Sequence, residues 1–243
     1  MFKVPIVVAL LAVGFTTAAL PQSAEEIVAA NVAARGGLPA WRAVRTLRMT
    51  GQMDVGRDMQ VPFTLLLERP MKMRLEFLFD GEMVVQVFDG KNGWMQRPFL
   101  GRDGYEPYGA DELRAAAGQA ELDGPLIDYK AKGHRVKLLG RETVQGREAY
   151  KLEVTLATGV VRHIYLDAET SLEVKVDSSR QLRGKETALE TYYRDYRPVR
   201  GLLFAHSLET LIAGESKGNR MAIEQIELNP PLEAALFAPP RGK

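Results

Sequence analysis

From Thr46 to Leu228 apolar residues return at every second position, and this period of two constrains the chain more than any other feature. Leu47, Met49 and Met53 form one such row, followed by Val61, Phe63, Leu65 and Leu67, then Met71, Met73, Leu75, Phe77 and Phe79. Alternation of this kind places apolar side chains on one face of a strand and polar ones on the other, the pattern of antiparallel sheets with a buried face. Asp80-Gly81 and Asp89-Gly90 bracket a strand at Val84–Phe88, because glycine turns with positive φ at no steric cost. Further strands are expected at Val136–Leu139, Glu148–Ala157, Val160–Asp167, Leu172–Asp177, Ala188–Tyr196, Leu203–Ile212 and Arg220–Leu228. About ten or eleven antiparallel strands result, and no strands alternate with helices as a parallel sheet would require.

Two regions break the rhythm. Ser23-Ala24-Glu25-Glu26 has capping-box spacing, Ile27, Ala30 and Ala34 share one helical face, and Gly36-Gly37 can end the helix. A short helical turn follows at 38–44, with Trp41 placed to dock both pieces on the sheet. Residues 100–133 form a glycine- and proline-punctuated excursion around a helix-competent piece at 111–117, long enough to cover something. Ahead of all this, residues 1–20 read as a secretory signal peptide: Lys3, an apolar run from Val4 to Phe15, then small residues, with cleavage sites available after Ala19 and as late as Ala24. The apolar run is shorter than the roughly 20 residues of a membrane span. Residues 21–243 are then expected to form one exported domain.

Composition removes several function classes. The 243-residue chain has no cysteine, hence no disulfide, thiolate nucleophile or acylated cysteine. Losing residues 1–20 takes away Lys3 and no acid, so the net charge falls from +1 to zero, which offers nucleic acid nothing. His134, His163 and His206 are isolated, with no metal-ligand spacing, and no cofactor motif is present. Gly214-Glu215-Ser216-Lys217-Gly218 fits a nucleophile elbow by pattern alone, yet no Asp or His follows Ser216 to complete a triad, and a hairpin turn accounts for the glycines. No catalytic residue is assigned and no enzyme is expected.

Glu68-Arg69-Pro70-Met71-Lys72-Met73-Arg74-Leu75-Glu76-Phe77 is followed by Asp89-Gly90-Lys91-Asn92-Gly93-Trp94-Met95-Gln96-Arg97-Pro98, and the chain closes on Phe237-Ala238-Pro239-Pro240-Arg241-Gly242. These stretches resemble the LolA-like periplasmic carriers of outer-membrane lipoproteins, in a divergent branch of lipoprotein-sorting proteins. The resemblance implies a mainly β fold, an open, half-closed antiparallel barrel with helices over its concave face. It implies further that acyl chains of lipoproteins or lipids bind in the cleft, received from an inner-membrane donor protein and passed to an outer-membrane acceptor by a monomer. Arg69 matches the arginine that holds the family's lid by polar contacts. The cleft lining offered on this basis is Met73, Leu75, Phe77, Val85, Val87, Trp94, Leu152, Val154, Tyr165, Leu203 and Met221, with Leu126 and Ile127 from the lid. A lipid-sensing regulator built on the same fold is the alternative, and a hydrolase the remotest.

Overall fold

The computed structural model describes residues 23–55, 59–182, 184–215 and 217–238; the signal segment, Ser216 and residues 239–242 of the closing motif lie outside them. Among the described residues thirteen antiparallel strands form one sheet: β1 (Thr46–Asp54), β2 (Gln60–Glu68), β3 (Lys72–Phe79), β4 (Glu82–Phe88), β5 (Gly93–Arg97), β6 (Arg102–Pro107), β7 (Arg135–Val144), β8 (Arg147–Thr155), β9 (Val161–Asp167), β10 (Glu173–Leu182), β11 (Lys185–Val199), β12 (Leu202–Ile212) and β13 (Asn219–Leu228). Their order is β6-β5-β4-β3-β2-β1-β13-β12-β11-β10-β9-β8-β7. The chain therefore starts mid-sheet, meanders to one edge, crosses to the other edge through residues 108–134, and meanders back until β13 pairs with β1.

The mainly antiparallel β architecture expected from the alternation is present, with two strands more than the period revealed. Residues 93–97 and 102–107 form β5 and β6. Gly93, Gly104, Pro98 and Pro107 interrupt any alternation there, so pairing rather than sequence pattern identifies these strands.

Among the described residues three α-helices accompany the sheet: α1 (Ala24–Ala34), α2 (Leu38–Ala43) and α3 (Ala110–Gln119). The α1 start is the expected capping box, Ser23 Oγ accepting from the Glu26 amide at 3.2 Å while the Ser23 amide donates to Glu26 Oε2 at 2.8 Å. Gly36 and Gly37, at φ 109° and 87°, turn the chain between α1 and α2. Of the face expected for α1, Ile27 is buried and Ala30 and Ala34 are partly so; Val28 and Asn31, with the C-capping Arg35, complete the buried stripe. Its polar members are there because each has a partner to reach: Asn31 Nδ2 donates to Ser171 O at 2.8 Å, and Arg35 serves the site below.

The contacts of α3 require the sheet to curl. This helix touches β4, β5 and β10. Between β5 and β10 lie eight strand-to-strand steps, about 38 Å across a flat sheet at about 4.8 Å each. A ten-residue helix is only about 15 Å long. The sheet is accordingly a deep trough, and the helices lie inside it.

The Asp89-Gly90 turn is closed by its carboxylate, Oδ1 accepting from the Lys91 and Asn92 amides at 2.8 and 2.6 Å. Burial pushes the Asp89 carboxyl up, but these N–H groups outweigh it and hold its pKa below the ordinary 3.8. Stability from this group is thus present above the ordinary value and lost as pH falls through the lowered one. Asp89→Asn will lower stability at pH 6, and the gap from the native chain will shrink on acidification through pH 3. Urea melts at stepped pH measure it, and a pH-independent gap would refute the linkage.

One ladder is short. β12 pairs with β13 only over Ser207–Thr210 against Asn219–Ala222, leaving Leu202–His206 without a neighbour on that side. The α1–α2 corner fills the gap, the Leu203 amide donating to Arg35 O at 3.2 Å. Gly36 passes so close to Gly201 O that a Cβ would collide with it.

Candidate functional site

The trough floor follows from strand parity. Leu47 lies between Leu228 and Leu67, and Leu67 in turn pairs with Met73, which pairs with Phe88, so one apolar row crosses five strands. It packs with Trp41, Val44, Ala116, Ala120, Leu122, Ile127, Leu202 and Phe204 in one cluster. On the far wall Leu152, Val154, Ile164 and Leu166 pack with Ile27, Val28 and Leu126 in a second. Leu126 and Ile127 are wholly buried neighbours that belong to different clusters, so the segment carrying them ties the two halves together.

Of the lining residues offered from sequence, Met73, Leu75, Phe77 and Met221 lie on the floor and Leu152 and Val154 on the far wall, with Leu126 and Ile127 above. Met221 arrives there through a bulge at Glu224 that brings it opposite Met53. Val85, Val87, Trp94, Tyr165 and Leu203 occupy the opposite parity and face outward. In β4, Val84, Val85, Val87 and Phe88 are all buried, so alternation carries no preference for either face. Outward Val85 and Val87 share their face with Leu66 and with Arg74, whose Nη1 donates to Leu236 O of a C-terminal 3-10 turn at Ala234–Phe237. Tyr165 packs with Val144 and Ala149 in a separate cluster, its ring under Lys175 Nζ at 4.4 Å from the centroid.

Polar contacts hold the roof down, and they converge on Asp123. Arg69 Nη2 donates to Asp123 Oδ2 at 2.6 Å and to Trp41 O at 3.1 Å, while its Nε donates to Val44 O at 2.8 Å. Lys132 Nζ meets Asp123 Oδ1 at 2.6 Å, Gly124 O at 2.7 Å and Glu121 at 2.9 Å. Arg35 Nη1 donates to Asp123 O and to Glu173 Oε1, at 3.2 and 3.3 Å. Arg42 grips Asp128 through two bonds of 2.6 and 2.7 Å. Arg69 thereby joins the end of α2 to residues 120–134. Its partner Asp123 is 54 positions away, and only the fold brings them together.

Beneath Gly124 and Pro125 is a cavity of about 120 Å³, lined also by Arg35, Arg162, Ile164, Glu173, Val176 and Tyr193. Burial, with the charge of Glu173, pushes the Tyr193 phenol up to about 12, so it is a neutral donor at physiological pH. Tyr196 is raised by the same causes and donates to Glu173 O at 3.0 Å. Neither cavity arginine was singled out in the sequence. Arg162 could have been, since it stands in the same alternating row as Ile164 and Leu166.

Among the described residues no cluster of His, Cys, Asp or Glu could hold a metal ion, and no helix is long and apolar enough to cross a membrane.

No protein-family model matches the sequence, and no curated protein does. Solved structures do match. A LolA superfamily protein of Nitrosomonas europaea is 11% identical with a TM-score of 0.61, over 89% of this chain and 98% of that one. A DUF1329 family protein of Desulfovibrio piger is 12% identical at TM-score 0.59, over 90% and 98%. A putative outer membrane lipoprotein-sorting protein domain of Vibrio parahaemolyticus is 14% identical at TM-score 0.54, over 87% and 94%. The trough, its order of strands and its helical roof are therefore a divergent form of the LolA-like fold.

Proposed function

We propose that the protein is a periplasmic carrier that shelters acyl chains of lipoproteins or lipids in the trough and releases them without covalent chemistry. The observation that carries this reading is the division of labour at the roof: apolar residues fill the trough, while the Arg69–Asp123–Lys132 ion pairs hold the cover in place. A cover fastened by a few polar contacts can be exchanged for another apolar occupant. Each methylene laid on the floor gains about 0.8 kcal/mol, offsetting what Leu126 and Ile127 lose on leaving. The cavity of about 120 Å³ beneath Gly124 and Pro125 is below the roughly 300–1,000 Å³ of ordinary ligand pockets, so a long chain seated there needs that exchange. Residues 1–20 would direct export, and hand-over from an inner-membrane donor to an outer-membrane acceptor needs only graded affinities.

Native mass spectrometry of protein purified from the periplasm without detergent tests this. Adducts that extract as lipid or acylated peptide are expected. A clean protein mass that persists after incubation with acyl ligands would dismiss the reading.

A further inference from the structure

We propose that the cavity beneath Gly124 and Pro125 binds the anionic head, phosphate or carboxylate, of an acyl amphiphile whose tail lies on the trough floor. The inference rests on the carrier reading and names the chemical class of its cargo.

Charge is the first argument. The cavity is lined by two guanidinium groups and one carboxylate. Glu173 is already engaged, by Arg35 at 3.3 Å and by the Tyr196 hydroxyl at 3.3 Å. The Arg162 side chain is left over: among the described residues it has no ion pair and no hydrogen-bond partner. Its Nε is out of contact with solvent and unpaired, as is that of Arg35, whose side chain is 10% exposed. Buried guanidinium donors without acceptors are rare in folded proteins and ask for an occupant. The planar fork of arginine suits the oxygens of phosphate or carboxylate.

Space is the second argument. Arg162 lies against α3 where Gly118 leaves it room, for a Cβ at Gly118 would strike its Nη2. The Tyr193 hydroxyl has no hydrogen-bond partner among the described residues, which supplies a further donor at the cavity. About 120 Å³ accommodates a head group with attendant water and excludes a long chain.

Continuity is the third. Ile164 lines the cavity and is also a member of the apolar cluster with Leu126, Leu152, Val154 and Leu166, while Val176 lines it and packs on that cluster. A head seated among the arginines would have its first methylenes on that wall.

Calorimetric titration of delipidated protein with dodecyl phosphate, dodecanoate, dodecanol and inorganic phosphate tests the assignment. The anionic amphiphiles should bind at least tenfold more tightly than dodecanol. Arg162→Gln, checked for an unchanged melting temperature, should abolish that preference and leave dodecanol binding as it was, while Arg162→Lys should keep part of it. Equal affinities in the native protein, or a preference that survives Arg162→Gln, would overturn the head-group site and leave the carrier reading standing. Binding of inorganic phosphate without any C12 ligand would overturn both in favour of a free-anion site, and no binding at all would also remove both.

Discussion

Asp123→Ala will free residues 120–134 from the trough and cost about 3 kcal/mol. Asp123 is 2% exposed and neutralises Arg69 and Lys132, which are 21% and 19% exposed. Removing one member of a buried pair costs about 3–5 kcal/mol, because the remaining charge keeps its desolvation penalty and loses its compensation. Partial solvent access to the two cations places this case at the lower end. For a chain of this size the melting temperature should fall by about 6–12 °C. Hydrogen exchange should quicken first in 120–134, while the β1–β2 ladder stays protected. Asp123→Asn keeps the volume but sets an amide N–H against Lys132, so it should recover less than half of the loss. A melting temperature within 2 °C of the native value for Asp123→Ala would show that the ion pairs do not fasten the roof.

Trp41→Ala will be at least as costly, about 4 kcal/mol. The indole is wholly buried, and Trp-to-Ala truncations in cores cost about 3–5 kcal/mol through lost transfer energy and the cavity left behind. Its ring packs on Phe204 with centroids 5.0 Å apart, lies 4.5 Å beneath the Arg35 guanidinium, and its Nε1 donates to Arg35 O at 3.1 Å. Trp41→Phe retains most of the packing and should recover over half of the loss. Far-UV dichroism in urea reads both variants without depending on the indole signal. A loss below 1 kcal/mol for the alanine variant would mean that the α1–α2 corner contributes little to stability.

The period of two, the Ser23–Glu26 capping box and the glycines after α1 made the sheet and the first two helices readable in advance, because each is a local rule obeyed by adjacent residues. β5 and β6 escaped because glycine and proline erase alternation there and only cross-strand pairing defines them. The inward face of β4 escaped for the opposite reason: with Val84, Val85, Val87 and Phe88 all apolar, nothing in sequence distinguishes the faces. Asp123, the partner of Arg69, was not legible, because it lies in the glycine- and proline-punctuated excursion at 100–133 where no period or spacing points to it. Arg35 closes a helix in sequence and only in space meets Glu173, 138 positions on.

The short β12–β13 ladder gives the two parts of the roof different attachments. Lifting the α1–α2 corner would strand the Leu203 amide in a gap where no strand waits to receive it, and would pull Asn229 Nδ2 from Ala43 O. Residues 120–134 are attached differently, by side-chain charges at Asp123, Asp128 and Lys132 and by the buried Leu126 and Ile127, without filling a gap in the sheet. The corner is thus a keystone wedged into a split seam, whereas residues 108–134 span the trough from β6 to β7, the two edge strands of the sheet.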